Sequence, residues 1–129
     1  MVRHDLYLPG SRANVDHLVI GPTGVWVIDS KAYRAGLWVR RGQVWAGRYA
    51  VDVGPAAWEA DRVGQLLGCD VTPLVAVHGD GLRRRGKRVG GVRVIPAGRV
   101  VRRLRRGRRV LSRSEMAGLS ARAASVWPS

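Results

Sequence analysis

The stretch that decides the fold is residues 15–33, "VDHLVIGPTGVWVIDSKAY". Two runs rich in β-branched residues, 15–20 and 25–31, flank the turn sequence GPTG at 21–24, in which proline occupies the second position. This pattern predicts a β-hairpin. Both strands carry charged residues inside apolar runs, and the placement of those charges needs a physical explanation.

The predicted hairpin brings the charges together. Side chains alternate across a strand, so Asp29 and Lys31 share one face. If the turn closes symmetrically, Asp16 lies directly opposite Asp29, and like charges so placed destabilise a sheet. Three explanations are open at this point: a cation bridges the two carboxylates, one carboxyl is protonated, or a bulge shifts the register.

Two carboxylates beside an ammonium group form a site of hard oxygen ligands that suits Mg²⁺ or Mn²⁺. Such a site fits phosphodiester hydrolysis, in which the metal activates a water and Lys31 orients that water or stabilises the transition state. The chain has 23 Lys and Arg residues, of which only Lys31 and Lys87 are lysine. Because the chain otherwise uses arginine for positive charge, a lysine at position 31 indicates a specific role. Its charge is compact, whereas that of arginine is spread over a planar fork.

Residues 15–36, "VDHLVIGPTGVWVIDSKAYRAG", preceded by "DLYLPG", closely resemble the nuclease-related domain (NERD) family, a branch of the PD-(D/E)XK restriction-endonuclease-like superfamily. The resemblance is close over residues 5–36 and loose from there to residue 104. It implies an α/β (α+β) fold with a restriction-endonuclease-like mixed sheet and flanking helices. It also implies a nuclease that acts on DNA.

In the family's pattern the aspartate of the "DH" dipeptide corresponds to Asp16, and the "(D/E)xK" triplet corresponds to Asp29, Ser30 and Lys31. The resemblance implies a Mg²⁺ or Mn²⁺ ion held by Asp16, Asp29 and the backbone carbonyl of Ser30. It places Lys31 beside the attacking water. The predicted catalytic residues are thus Asp16, Asp29 and Lys31.

Members of this family usually carry an N-terminal helix whose glutamate completes the acidic site, whereas this sequence begins at or just before the first strand. The N-terminal helix is therefore expected to be missing. Glu59 offers a stand-in from a later helix, although acids near a helix start usually serve the helix dipole. A homodimer or a partner protein is another way to complete the site.

The rest of the chain predicts a second hairpin, in which Trp38 pairs with Trp45 as sheet packing, and further elements that complete one α/β unit. We expect a domain at 1–110, with a C-terminal helix at 111–129 that is part of it or a short extension. The other predicted elements are a strand at 4–8, a helix in 54–68 with Pro55 at its start and Gly68 as its cap, a strand in 71–79, a near-edge strand in 90–96, and a helix opened by the capping box of Ser112 and Glu115.

The formal net charge of +14 over 129 residues favours a polyanionic partner, most commonly nucleic acid. Codon bias towards arginine offers a second source of that charge. A single cysteine, Cys69, excludes an intramolecular disulfide, and the absence of a leader or a long apolar run predicts a cytoplasmic protein without a membrane span. The predicted nucleic-acid-binding residues are Arg83, Arg84, Arg85, Lys87, Arg88, Arg102, Arg103, Arg105 and Arg106.

Three functions are compatible with these features. The first is a divalent-metal-dependent nuclease that hydrolyses phosphodiester bonds of DNA through Asp16, Asp29 and Lys31. The second is a catalytically impaired NERD-like module that only binds nucleic acid. The third is a basic RNA- or ribosome-associated structural protein, in which the pair of acids is incidental.

Overall fold

The predicted hairpin lies inside a six-stranded mixed sheet in the computed structural model, which describes residues 1–128. Residue 129, the end of the predicted C-terminal segment, lies outside the described residues. The elements are β1 Val2–Tyr7, β2 Asn14–Gly21, β3 Gly24–Ala32, β4 Leu37–Arg40, β5 Gln43–Ala46, β6 Tyr49–Ala50, α1 Gly54–Leu67, β7 Thr72–His78, β8 Lys87–Val89, β9 Val92–Pro96, a 3₁₀ turn Ala97–Arg99, α2 Val100–Arg105 and α3 Arg113–Val126. The predicted α+β class is confirmed.

The large sheet has the strand order β1-β2-β3-β7-β9-β8. Strands β1, β2 and β3 pair antiparallel, β3, β7 and β9 pair parallel, and β8 closes the edge antiparallel to β9. Helix α1 makes the connection that parallel pairing of β3 with β7 requires. The strand predicted near an edge, β9, is one place further in than the edge, which is formed by β8. A separate three-stranded sheet contains β4, β5 and β6.

The ladder between β2 and β3 runs from Gly21 paired with Gly24 to His17 paired with Ile28. Every rung in this ladder follows the symmetric register predicted from the turn. No bulge interrupts these rungs, but the ladder ends one residue before the acids, so the predicted pairing of Asp16 with Asp29 is not one of its rungs. In the smaller sheet, Trp38 pairs with Trp45 as predicted, and their rings stack with centroids 5.5 Å apart.

Two helices cover one face of the large sheet. Helix α1 ends at Gly68, whose φ of 70° is left-handed as predicted for a C-terminal cap. The stripe formed by Ala60, Val63 and Leu67 packs with the apolar residues of β2 and β3, and Ala123 of α3 joins the same core. No helix among residues 1–128 combines the length and the apolar character needed to cross a membrane.

Helix α2 covers the opposite face and was not predicted from the sequence. Val100 and Leu104 lie four residues apart in an arginine-rich run and pack on the core formed by Trp26, Ile28 and Ile95. Two apolar residues among many arginines make too short a pattern for helical periodicity to be recognised from the sequence. The basic segment is thus partly helical and anchored to the sheet.

Substituting Ser112 with alanine should lower the free energy of unfolding by about 1 kcal/mol, because the predicted capping box of α3 is present. The Ser112 hydroxyl accepts from the Glu115 N–H at 3.1 Å, and the Glu115 carboxylate accepts from the Ser112 N–H at 3.0 Å. Urea unfolding of both proteins measures the difference. Ser125→Ala, an exposed serine at the other end of α3, is the control, and an equal loss in both variants would contradict the capping role.

Candidate active site

The carboxylate of Asp16 is anchored across the hairpin. Its Oδ2 accepts a hydrogen bond from the backbone N–H of Ser30 at 2.9 Å. The β2–β3 ladder stops at His17 and Ile28, so the Ser30 N–H bonds to this side chain instead of to the opposite strand. Asp16 is thereby held against the part of β3 that carries Asp29.

Asp29 and Lys31 project from β3 on the face covered by α1, as strand alternation predicts. Lys31 Nζ lies 3.3 Å from Asp29 Oδ2, and the two side chains are only 26% and 16% exposed. The contact is an ion pair that is not oriented for a hydrogen bond, since Asp29 Oδ2 is buried without a hydrogen-bond partner among the described residues. A buried carboxylate oxygen with free lone pairs is an available ligand.

Glu59 of α1 faces these two aspartates. Its side chain is buried, and its pKa is raised to about 7 by burial first, then by the negative charges of Asp29 and Asp16, against an opposite effect of Lys31. The interpretation of Glu59 as a dipole-stabilising acid is wrong, because no acidic residue lies in the first turn of α1. Helical spacing predicts that Glu59 points towards the sheet, because it follows buried Ala56 by three residues and lies on the same side of the helix. From that side it can take the place of the N-terminal glutamate.

The environment disfavours negative charge on Asp29 as well. Burial raises its pKa, the ammonium of Lys31 partly offsets that rise, and the neighbouring Asp16 carboxyl adds to it. Tyr33 belongs to the same surroundings, since burial raises the pKa of its phenol and Lys31, Asp29 and Asp52 contribute further charge effects. Strand alternation places Tyr33 on the same face as Asp29 and Lys31. The sequence could therefore have predicted that Tyr33 lies near the acidic cluster.

The cluster fits a divalent cation through a small protein ligand set. Asp16, Asp29 and the Ser30 carbonyl would be the ligands, and the observation that favours this is the buried Asp29 Oδ2, which lacks a hydrogen-bond partner among the described residues. Among residues 1–128, no group of three or more His, Cys, Asp or Glu side chains is arranged to hold a metal ion. Mg²⁺ commonly uses one or two protein carboxylates and fills its remaining positions with water and substrate phosphate oxygens.

His17 lies on the other face of the hairpin, as predicted. Its Nε2 is 3.2 Å from Ser30 Oγ, and its Nδ1 is 2.7 Å from Nδ1 of His4. The two imidazole rings meet edge to face. His17 therefore bridges β1 and β3 structurally and does not reach the carboxylates.

The predicted nucleic-acid-binding residues are split by the fold. Six of them line a cavity of about 400 Å³, here called the arginine cavity, while Lys87, Arg88 and Arg105 do not. The sequence pattern missed Arg99, which also lines it. The lining residues are Arg83, Arg84, Arg85, Arg99, Arg102, Arg103, Arg106 and Ile95.

The arginine cavity and the acidic cluster lie on opposite faces of the large sheet. Ile95 lines the cavity and packs with Trp26 and Ile28, which point away from α1. Asp29 and Lys31 alternate with those residues and point towards α1. The structure therefore brings the three predicted catalytic residues together and places most predicted binding residues elsewhere.

The family described as nuclease-related domain has a sequence model that matches residues 1–69, more than half of the chain. Placement in the PD-(D/E)XK superfamily is consistent with this family. The matched stretch contains Asp16, Asp29, Lys31 and Glu59, whereas the residues of the arginine cavity lie after it. No curated protein and no solved structure matches the chain.

Replacing Glu59 with glutamine should remove a pH dependence of stability. Because the pKa is raised from 4.5 to about 7, the folded protein holds a proton that the unfolded chain releases, and stability falls as pH rises through this interval. Glu59→Gln should match the parent near pH 4.5 and exceed its free energy of unfolding by roughly 1 to 3 kcal/mol at pH 8. Urea unfolding at both pH values measures this, and a pH-independent difference would contradict the buried-acid assignment.

Proposed function

The chain belongs to the nuclease-related domain family, and we propose from that premise that it is a divalent-metal-dependent nuclease that hydrolyses phosphodiester bonds of DNA. The observation that carries this proposal is Asp29 Oδ2, which is buried with the Lys31 ammonium 3.3 Å away but without a hydrogen-bond partner among the described residues. Leaving a charged oxygen without hydrogen bonds is costly, and a site that binds a cation offsets that cost. The same three residues match the family's motif.

Each residue of the cluster has a separate role. Asp16 and Asp29, with the carbonyl of Ser30, would hold Mg²⁺ or Mn²⁺. The Ser30 N–H keeps the Asp16 carboxylate in position, because it is bonded to Oδ2. Lys31 has its ammonium beside Asp29, where it would orient the attacking water and stabilise charge that develops on the phosphate.

The metal, when bound, would supply activation of a water and neutralisation of charge on the phosphate oxygens. Asp29 is only partly exposed, and its Oδ2 is buried, which limits solvent around that oxygen and strengthens electrostatic interactions there. Glu59 adds a third carboxyl to the cluster, and burial raises its pKa to about 7 together with the negative charges of Asp29 and Asp16. We assign to it the position that an acid from an N-terminal helix takes in related nucleases.

A second candidate function is a nucleic-acid-binding module without catalysis. The size and charge of the arginine cavity favour it. The two candidates differ in one outcome. Metal-stimulated cleavage by the purified chain supports the nuclease, and binding without cleavage supports the module.

Substituting Asp29 or Lys31 with alanine should reduce Mg²⁺- or Mn²⁺-dependent cleavage of DNA by at least about 100-fold, since each removes an electrostatic contact at the reacting centre. Cleavage of linear and plasmid DNA by purified proteins measures the rate. Asp61→Ala is the matched control, because Asp61 is an exposed acid on α1 outside the cluster. If Asp29→Ala cuts as fast as the parent, the activity is a contaminant and the assignment is wrong.

Mn²⁺ should bind to the parent protein and to Asp61→Ala, and binding should be lost in Asp29→Ala. The reason is that Asp29 supplies to the proposed site an oxygen ligand that has no hydrogen-bond partner among the described residues. Titration calorimetry measures this without any substrate. Equal binding by all three proteins would place the cation elsewhere.

A further inference from the structure

We propose that the arginine cavity is a binding site for phosphate groups of the nucleic-acid backbone, separate from the acidic cluster and on the other face of the sheet. The proposal rests on the proposed function only in taking nucleic acid as the source of those phosphates. It assigns phosphate binding to residues after position 69, which lie outside the part of the chain that the family model matches. Three chain segments, each with its own anchor, build the cavity.

The first segment is the turn that carries Arg83, Arg84 and Arg85. The Gly86 N–H donates to the Arg83 carbonyl at 2.8 Å, and the Arg93 guanidinium donates to the Arg85 carbonyl at 2.9 Å. Gly86 has a φ of 66°, and a Cβ there would lie 1.9 Å from the Val94 carbonyl oxygen. Only glycine allows this close approach, so three consecutive arginines are held against β9.

The second segment comprises the 3₁₀ turn, α2 and the residue that follows α2, which together supply Arg99, Arg102, Arg103 and Arg106. Spacings of three and four residues place these side chains on one side of the helix. The apolar side of α2 is anchored by Val100 and Leu104, and the Thr23 hydroxyl donates to the Leu104 carbonyl. The arginines of this segment therefore extend from a fixed support.

The third segment is β9, which contributes Ile95 to the wall and Arg93 beneath the turn. Arg93 Nε is buried without a hydrogen-bond partner among the described residues. Burial lowers the pKa of Arg93, and the positive charges of Arg103 and Arg88 lower it further. Arg93 therefore lies among other positive charges of the same region.

Acidic side chains do not neutralise the cavity. No acidic residue lies between Asp80 and Glu115, and within residues 1–128 the one salt bridge joins Lys31 to Asp29. Guanidinium groups match phosphate oxygens with two parallel hydrogen bonds, so a phosphate would offset the repulsion and satisfy donors together. A phosphodiester backbone presents such groups at regular intervals.

The position of the cavity specifies how a substrate is held. Lys31 pairs with Val77 near the end of β7, and Pro96 at the end of β9 also pairs with Val77. The acidic cluster and the start of α2 thus lie towards the same end of the parallel strands, on opposite faces. A DNA strand cut at the cluster would pass this end of the sheet to reach the cavity, so longer DNA should bind more tightly than short fragments.

The test is the salt dependence of DNA binding in EDTA, which prevents metal-dependent cleavage. Fluorescence anisotropy with a labelled duplex measures Kd between about 50 and 200 mM salt for the parent and for Arg102→Ala/Arg103→Ala. We expect the slope of log K against log salt to fall by roughly 1 to 2, because about 0.9 is lost with each phosphate contact. Unchanged slope in this variant would overturn the proposal.

Two further variants separate the cavity from general charge. Arg108→Ala/Arg109→Ala removes the same charge from exposed residues that do not line the cavity, and it should keep the parent's slope. Arg102→Lys/Arg103→Lys retains the charge and should keep most of the slope. Equal losses in the two alanine variants would mean a diffuse basic surface and no discrete site, and thermal melting verifies that each variant is folded.

Inorganic tripolyphosphate distinguishes the source of the phosphates. If it displaces DNA from the parent at an equal concentration of phosphate groups, the cavity binds free polyphosphate and the nucleic-acid assignment is wrong. DNA that resists this competition supports the proposal. Binding is measured without metal and is therefore independent of cleavage. If the arginine cavity does not bind DNA, the comparison of cleavage by Asp29→Ala and the parent still tests the proposed nuclease. If the parent does not cleave DNA, the binding measurements still test the arginine cavity.

Discussion

β2 and β3 pair without a bulge from the turn at 21–24 to His17 and Ile28, and the position of each charged group near the hairpin depends on this ladder. A slip by one residue would turn Asp29 and Lys31 to the opposite face. The turn sequence sets the register, and burial of Leu18 and Val27 under α1 maintains it. Asp16 and Asp29 are thus brought together by apolar packing, despite their mutual repulsion.

Packing of α1 then adds a third carboxyl group to the two aspartates. The helix buries Ala60 and Val63 against the sheet, and the same orientation buries Glu59 towards two aspartates. Three carboxyl groups share surroundings that contain one ammonium, Lys31. Raised pKa values at Asp29 and Glu59 are the expected result, and they are typical of sites in which charge is held for function.

The sheet separates the two signs of charge. Strand alternation directs Asp29 and Lys31 to the α1 face, while Ile28 and Ile95 support α2 and its arginines on the other face. The arginines of the cavity thus lie away from the acidic cluster, where Lys31 is the one cation in an ion pair with Asp29 among the described residues. The arginines remain available to phosphate. In the proposed function, a nucleic acid that contacts both surfaces would meet a cation held by the acids on one face and the arginines on the other.

Local patterns determined much of this molecule. The GPTG turn with its flanking β-branched runs specified the hairpin and its register, Gly68 specified the end of α1, and Ser112 with Glu115 specified the start of α3, because each depends on contacts within a few residues. The meeting of Asp16, Asp29 and Lys31 followed from the same local geometry. The approach of Glu59 to the two aspartates and the gathering of arginines from the turn after β7 and from the region of α2 were decided only by tertiary structure. Both depend on how α1 and α2 pack on the sheet, and that packing joins residues far apart in the chain through contacts that no local spacing records.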